Sequence, residues 1–322
     1  MVVKKLGPVA IIGAGLSGLT CAQALRAAGA TVRVFESSSG VGGRCATRLW
    51  QGHLVDLGVQ YFTAQSTDFK KELLTRLRQF RPIISPILDR DNHVVTNPAG
   101  PRFYVLQGNN YFAQLLAQGL EVRLNTPVAN ISFSSSRIKC LDETYRAVVS
   151  SLSGPLTARL FGLPKSPADY DPCLVALLEY AGTGLGNSRQ CYARLLPEGT
   201  EPLLSSYCEN NKTGRIVGDK TVFIVQASPR FSREHADTPP EKYLPLLTRE
   251  NEKLWQISRG SCTASYGHLW PHARPFDHHH RRVKLSPGAF ICGDSRTDST
   301  VENVWLDGRK AAQEVLSYLS GL

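Results

Sequence analysis

Apolar and polar positions near the start of the chain follow the periods of a strand, a helix and a second strand. Val9–Ile12 form a short β-branched run that is typical of a buried parallel strand. From residue 16 to residue 28 apolar positions recur at helical spacing, and Gly29 then supplies a residue suited to a left-handed helix end. Residues 31–35 alternate as a second strand. The pattern therefore predicts a β-α-β unit.

Farther along the chain, helical and strand-like patterns continue to alternate. Residues 67–80 predict a basic amphipathic helix, whose apolar face is expected to pack on the core rather than on a membrane. That face consists of Phe69, Leu73, Leu77 and Phe80. Residues 174–180 and 221–226 predict strands, and residues 289–292 predict a return strand before the last helix. This order indicates the α/β class with a second, strand-rich region.

The six residues after the first strand form a glycine loop with a mechanism of its own. In Gly13-Ala14-Gly15-Leu16-Ser17-Gly18, the first glycine permits a tight turn, the second lets a pyrophosphate approach, and the third lets the helix pack close to the strand. Glu36 ends the second strand, where it can accept hydrogen bonds from a ribose. The loop predicts a dinucleotide site, but it does not distinguish NAD from FAD. The alternative interpretation is a tight strand-to-helix turn that binds no ligand.

A second glycine cluster follows Glu36 closely. Gly40, Gly42 and Gly43 allow the backbone to pass against a ligand, and the planar fork of Arg44 suits a phosphate. Alone, such a cluster could be a surface turn. Beside the first loop, it favours a second contact to a pyrophosphate.

These motifs, with four further segments, resemble the FAD-dependent amine oxidase superfamily and, within it, the renalase-like branch. The segments are VDLGVQYFTAQ (55–65), QGNNYFAQLLAQGLEVRLNTPVANI (107–131), TVFIVQASPRFSREH (221–235) and ICGDSRTDSTVENVWLDGRKAAQEVL (291–316). The resemblance implies noncovalently bound FAD and a two-domain α/β flavoprotein, with a discontinuous Rossmann-type FAD-binding domain and a mixed α+β substrate domain. The expected FAD-binding domain comprises residues 1–66, 105–163 and 284–322, and the substrate domain residues 67–104 and 164–283.

The resemblance also implies positions for the cofactor. The Val128 backbone would meet the adenine, and Asp294, after Gly293, would accept hydrogen bonds from the ribityl chain or a ribose. Ser299 and Glu302 fit a capping box for the last helix, whose N-terminus would face the flavin pyrimidine. The predicted cofactor-binding residues are Gly13, Ala14, Gly15, Leu16, Ser17, Gly18, Glu36, Gly42, Gly43, Arg44, Val128, Gly293, Asp294, Glu302, Asn303 and Val304.

The substrate side departs from the family pattern. HLWPHARP (268–275) stands where an R-W-R-Y-A stretch is usual, and Asn303 and Trp305 replace small residues. The residues expected beside the flavin or the substrate, in positioning roles, are Gln60, Tyr61, Phe62, His268 and Trp270. Core packing is the alternative role for Tyr61, Phe62 and Trp270.

The renalase-like branch implies oxidation of 1,2- or 1,6-dihydro isomers of NAD(P)H to NAD(P)+, with electrons passing to O2 and release of H2O2. Residues 268–284 carry five histidines, three arginines and a lysine against one acid, which favours an anionic substrate such as a dinucleotide. Two alternatives stay open: a flavin amine oxidase or desaturase-like enzyme acting on a hydrophobic substrate, and an FAD-binding protein without turnover.

Composition excludes several other classes. The net charge of +10 comes from basic residues spread over all 322 positions, so nucleic acid is not an expected partner. Eight scattered cysteines without a CxxC pair predict reduced thiols. No spaced ligand set accompanies His278, His279 and His280, so we expect a solvated loop and no metal. Without a signal peptide or an apolar span of about 20 residues, a cytoplasmic protein with no membrane partner is expected.

Overall fold

The structure of the chain, a computed structural model, describes residues 7–77, 80–97, 99–134, 137–197, 199, 202–277 and 283–321. Within them the helices are α1 (Leu16–Ala27), α2 (Thr67–Arg76), α3 (Tyr111–Ala117), α4 (Gly154–Phe161), α5 (Pro229–His235), α6 (Pro240–Trp255) and α7 (Val301–Ser320). The strands are β1 (Val9–Ile12), β2 (Val32–Phe35), β3 (Thr47–Trp50), β4 (His53–Asp56), β5 (Phe80–Pro82), β6 (Ile87–Leu88), β7 (Phe103–Val105), β8 (Glu121–Arg123), β9 (Ser132–Phe133), β10 (Ile138–Cys140), β11 (Glu143–Tyr145), β12 (Ala147–Ser150), β13 (Tyr170–Ala181), β14 (Ala193–Leu195), β15 (Leu203–Cys208), β16 (Lys220–Ala227), β17 (Cys262–Pro275) and β18 (Ala289–Ile291).

A parallel sheet with the strand order β18-β12-β1-β2-β8 contains the first strands of the chain. Val9 and Ile11 pack into a core with α1, α3 and α7. Ala10 and Ile12 pack on the opposite face, against β10, β11 and α4. Because both faces are covered, β1 is continuously apolar instead of alternating. The predicted β-α-β start and the α/β class are confirmed.

A larger sheet has the order β17-β13-β16-β15-β14-β6 and is antiparallel except between β14 and β6. Leu174 lies on the face covered by α5 and α6. Val175 lies on the other face, which packs against Trp50 and Val55 of hairpin β3–β4. The strands predicted at 174–180 and 221–226 are confirmed within β13 and β16. The proposed division into two domains stays a prediction.

The predicted helix over 67–80 is too long. Helix α2 ends at Arg76 because Leu77 has an extended backbone (φ −100°, ψ 104°). Phe80 instead opens β5, which pairs with β7, and its ring packs on Phe103 with 5.2 Å between the ring centroids. The first three members of the predicted apolar face, Phe69, Leu73 and Leu77, are buried as expected.

The predicted capping box of the last helix is wrong. Thr300, and not Ser299, is the N-cap of α7, and its hydroxyl accepts a hydrogen bond from the Asn303 N–H at 3.1 Å. The Glu302 carboxylate turns away from the cap and accepts hydrogen bonds from two backbone N–H groups ahead of α2, those of Gln65 (2.7 Å) and Ser66 (2.6 Å). The Glu302 side chain, which the capping-box motif assigned to the N-terminus of α7, therefore makes a tertiary contact instead.

All eight cysteines are free thiols, seven of them buried. Within the described ranges, no helix has the length and apolar character needed to cross a membrane. The same residues contain no cluster of three or more His, Cys, Asp or Glu side chains that could hold a metal ion. The run His278–His280 lies outside the described residues.

Candidate active site

The loop between β1 and α1 requires glycine for steric reasons. Gly13 adopts a φ of 102°, and its N–H donates to the Phe35 carbonyl at 2.8 Å. A methyl group at Gly18 would lie 2.3 Å from the Gly13 carbonyl oxygen and 2.8 Å from the Ser151 hydroxyl. Glycine at position 18 therefore lets α1 begin close to the end of β1.

The second glycine cluster lies directly against the first. The Gly42 N–H donates to the Ala14 carbonyl at 2.9 Å, and Gly42 forms a parallel bridge with Gly15. A methyl group at Gly43 would meet the Gly15 Cα at 3.6 Å. We call this surface the glycine junction, which consists of Gly13, Gly15, Gly18, Gly42 and Gly43. The backbones of the two motifs are therefore in direct contact at the N-terminus of α1.

The N-terminus of α1 opens onto the glycine junction. Its N-cap is Gly15, which has no side chain, and its first turn carries no acid. The Gly18 N–H in that turn donates to the Ser151 hydroxyl at 3.1 Å. The partial positive charge of the helix end suits an anion. Glu36 stands beside it at the end of β2. One carboxylate oxygen accepts the Ala14 N–H at 2.8 Å, and the other accepts the N–H and hydroxyl of Ser38 at 2.9 and 2.7 Å.

An ion pair joins two motifs that the sequence placed 250 residues apart. The Arg44 guanidinium binds both oxygens of Asp294, with an Nη2–Oδ1 distance of 2.7 Å, and also donates to the Ala273 carbonyl at 3.1 Å. Tyr170 on β13 donates its hydroxyl to the same carboxylate at 2.7 Å. Burial, and then the charge of Asp294, raise the pKa of Tyr170, so Tyr170 remains a donor. Sequence analysis missed Tyr170, which belongs to no motif.

Gln60, expected beside the flavin, is buried and held by its amide nitrogen. This Nε2 donates to the carbonyls of Asp56 (2.5 Å) and Gly58 (3.2 Å). Gln226 of β16 also donates to the Gly58 carbonyl, at 3.1 Å. Among the described residues, the Gln60 Oε1 has no hydrogen-bond partner. It is a buried acceptor of the kind that a polar group of a ligand would satisfy.

Tyr61 and Phe62 have different environments. Tyr61 is half-buried and packs edge-on against Tyr192, with 6.4 Å between ring centroids, beneath the Arg102 guanidinium at 5.4 Å. Phe62 is buried in the core that contains α1 and α7, and its ring packs on Phe103 at 6.3 Å. These contacts favour core packing for Phe62, and a position of Tyr61 beside the substrate stays a prediction.

Three side chains of β17 form what we call the inner wall: Tyr266, His268 and Trp270. Their partners across β13 are Leu177, Val175 and Cys173, on the face that packs toward hairpin β3–β4. The Trp270 indole donates to the Leu57 carbonyl at 3.2 Å, which fixes the wall to the loop that carries Gln60. The rings of His268 and Trp270 pack edge to face at 4.4 Å.

His268 is a neutral imidazole in this environment. Its Nε2 is buried and lacks a hydrogen-bond partner among the described residues. Burial, and then the charge of Arg48, lower the pKa of His268 below its ordinary 6.5. The contact of this ring with a substrate stays a prediction.

Sequence analysis also missed a fully buried group of four charges, which we call the charge quartet: Asp56, Glu209, Lys212 and Arg215. The Lys212 amine lies 2.8 Å from Asp56 and 3.0 Å from Glu209. Arg215 lies 2.8 Å from Asp56 and 3.4 Å from Glu209. The quartet fixes the end of β4, from which the loop to Gln60 begins.

The two carboxylates of the quartet respond differently to burial. Burial opposes ionisation of Asp56, but the charges of Lys212 and Arg215 outweigh it and lower the pKa of Asp56. Burial raises the pKa of Glu209, and the same two cations offset only part of that effect. Asp56 is therefore the anion that holds the two cations most firmly.

The remaining predicted cofactor residues lie at the two ends of the site. Val128 is half-buried next to the core that contains Phe35, just after Thr126, whose N–H donates to the Glu36 carbonyl at 2.8 Å. Asn303 and Val304 lie in the first turn of α7 and are half-buried. Their contacts with a cofactor, like those of the other predicted site residues, stay a prediction.

Comparison with known proteins assigns the chain to a family. Residues 11–77 match the NAD(P)-binding Rossmann-like domain, and residues 90–316 match the flavin containing amine oxidoreductase family. The chain belongs to the flavin containing amine oxidoreductase family. It is an FAD-dependent oxidoreductase, as the resemblance to the amine oxidase superfamily implied.

Individual relatives agree in fold and differ in sequence. The putative protoporphyrinogen oxidase from Exiguobacterium sp. 255-15 superposes with a TM-score of 0.76 at 12% identity, covering 96% of this chain and 98% of its own. Cyclohexylamine oxidase from Brevibacterium oxydans IH-35A gives 0.75 at 13%, covering 98% and 99%. A possible lysine-specific histone demethylase 1 of Drosophila melanogaster is 43% identical over 60 residues, which are 19% of this chain and 7% of that protein. Such identities between structures show a common fold alone.

The site residues fit a bound FAD. Within the glycine junction, Gly43 is exposed and Gly15 is half-buried, and the N-terminus of α1, whose first turn carries no acid, suits a pyrophosphate. Glu36 stands at the end of the second strand, where such folds hold a ribose, and the Gln60 Oε1 is a buried acceptor without a partner among the described residues. These features supply hydrogen-bonding groups along the length of a dinucleotide.

Proposed function

We propose that this oxidoreductase belongs to the renalase-like branch and oxidises 1,2- or 1,6-dihydro isomers of NAD(P)H to NAD(P)+. Bound FAD would supply the hydride acceptor, and O2 would reoxidise it with release of H2O2. A dihydropyridine gives up hydride without prior loss of a proton, so the chain has to position the substrate rather than deprotonate it. The neutral His268 and the Trp270 ring, fixed by its bond to Leu57, suit that task.

The observation that carries this proposal is the placement of two arginines. The Arg48 guanidinium lies 4.3 Å from the centre of the Tyr266 ring, and that of Arg102 lies 5.4 Å from the centre of Tyr61. A cationic amine seeks such ring faces or a carboxylate. Here the ring faces already carry positive charges, which repel an ammonium group and attract a phosphate.

The test is anaerobic reduction of the purified holoenzyme. We expect rapid bleaching of the flavin absorbance by the 1,2- or 1,6-dihydro isomers, and recovery of colour with H2O2 release on admission of air. The ordinary 1,4-dihydro isomers and a panel of amines serve as comparison donors. Rapid bleaching by an amine, but by no nucleotide, would reject the proposal. A yellow protein that no donor bleaches would instead be an FAD-binding protein without turnover.

A second candidate is oxidation of a hydrophobic amine or a desaturation. It is supported by the aromatic lining, in which Tyr61, Tyr192, Tyr207 and Trp270 share one apolar cluster. The amine arm of the same experiment distinguishes this candidate from the first.

A further inference from the structure

Arg48 links the FAD side of the molecule to the inner wall. It lies on β3, opposite Val55 of β4, and its side chain is exposed. Its guanidinium carbon is 4.3 Å from the centre of the Tyr266 ring on β17. Tyr266 is two residues from His268 on the same face of the strand, so Arg48 lies at the edge of the wall where a substrate would enter.

Among the described residues, Arg48 differs from two other arginines in its lack of an ion-pair partner. Arg44, by contrast, is paired with Asp294, and Arg215 with Asp56. Within the described part of the chain, no carboxylate lies within ion-pair distance of Arg48. Its guanidinium carbon lies over the Tyr266 ring at cation–π distance, which places the positive charge beside the inner wall.

The positive charge of Arg48 acts on His268 of the inner wall. Its charge is one of the two causes that lower the pKa of His268. A cation that repels a proton at His268 attracts an anionic group bound near the same ring. The planar fork of an arginine matches two oxygens of a phosphate.

We propose that Arg48 binds the phosphate of the nicotinamide nucleotide and so selects nucleotides over the corresponding riboside. This inference rests on the proposed function, because it assumes that the ring oxidised is a dihydronicotinamide. In this arrangement the inner wall binds the nicotinamide ring, and Arg48 binds the phosphate of the same nucleotide.

The experiment compares Arg48→Gln and Arg48→Lys with wild-type holoenzyme on two donors, dihydronicotinamide mononucleotide and dihydronicotinamide riboside in the reactive isomeric form. Loss of a charge-assisted hydrogen bond predicts a KM for the mononucleotide that is about tenfold higher in Arg48→Gln. The KM for the riboside and both kcat values should stay near wild type. Arg48→Lys keeps the positive charge but lacks the planar guanidinium. Its KM for the mononucleotide should lie between those of wild type and Arg48→Gln.

Arg309→Gln is the matched control, because Arg309 is also an exposed arginine stacked on an aromatic ring, that of Trp305 at 4.9 Å. It removes one positive charge on α7 and should leave the KM for the mononucleotide unchanged. Binding of oxidised nicotinamide mononucleotide and riboside to each holoenzyme, measured by calorimetry, gives a second readout independent of turnover. The flavin spectrum and the melting temperature verify that each variant is folded and loaded.

Three outcomes distinguish the two levels of inference. A tenfold loss confined to the mononucleotide supports the role of Arg48. Equal losses for mononucleotide and riboside, or no loss, overturn that role while wild-type turnover still supports the proposed function. If wild-type enzyme oxidises no dihydronicotinamide and binds neither oxidised form, both proposals fail together.

Discussion

The glycine junction and the charge quartet flank the same end of hairpin β3–β4, yet they are built from opposite kinds of residues. The junction works by the absence of side chains: Gly18 is required because its Cβ would strike the Gly13 carbonyl. The quartet depends on charged side chains, since Lys212 and Arg215 neutralise a carboxylate 156 and 159 residues away. Backbone sterics leave a local pattern in a sequence, whereas buried charge pairing does not. The following substitutions test that contrast, from the largest expected effect to the smallest.

Lys212→Met should cause the largest loss of stability. It leaves Asp56 and Glu209 buried with Arg215 as their remaining quartet partner, and breaking a buried ion pair costs about 3–5 kcal/mol. Urea unfolding of the FAD-loaded protein measures the free energy of unfolding. Lys253→Met, on the surface of α6, is the control and should change it by less than about 1 kcal/mol. Equal effects of the two substitutions would mean that the quartet contributes no more than a surface pair.

Gly18→Ala should affect both stability and cofactor retention. The added methyl group meets backbone that cannot move without displacing α1, and overpacking of this kind costs about 1–3 kcal/mol. We expect the purified variant to have lost most of its yellow colour, read as the ratio of flavin to protein absorbance. Gly321→Ala is the control, since Gly321 has a φ of −82° and a Cβ there would make only ordinary contacts at 3.7 Å. Full flavin content in Gly18→Ala would remove the steric argument for the loop.

Thr300→Ala and Ser299→Ala separate the cap seen in the structure from the one predicted by the motif. Removing the Thr300 hydroxyl should cost about 1 kcal/mol, because it leaves the Asn303 N–H without its partner. Ser299→Ala should be close to neutral. Thermal unfolding of both variants tests the assignment. A larger loss of stability in Ser299→Ala than in Thr300→Ala would support Ser299 as the N-cap.

The smallest effect concerns the pH dependence of His268. Because burial and Arg48 hold its pKa below 6.5, the ring stays neutral at pH 7, and the unfolded chain binds the proton more readily than the folded chain. Stability and the rate of flavin bleaching should therefore fall as the pH drops below 6.5. In Arg48→Gln the inflection of the bleaching rate should move to higher pH, and His268→Gln should remove the contribution of His268 to that inflection. An unchanged inflection in Arg48→Gln would mean that the charge of Arg48 does not influence the pKa of His268.

The fold of the nucleotide end was largely predictable, and the limits of the prediction have specific causes. Val9–Ile12, the helix after it and the strands at 174–180 and 221–226 were predicted because each is apolar along its own length. The helix over 67–80 was drawn too long because Phe80 has the right spacing for a helix and pairs instead with β7. The contact of Glu302 with residues 65 and 66 could not be predicted, because neither segment carries a sequence pattern that indicates it.

By itself, the sequence determined the β-α-β unit, the glycine junction and, through family motifs, the FAD cofactor, because these depend on neighbours along the chain. Only the tertiary structure decided which charges meet: Arg44 with Asp294, Tyr170 on the same carboxylate, the quartet around Asp56, and Arg48 over Tyr266. Electrostatic energy depends on distance in space and on burial, and neither quantity is recorded in the order of the residues.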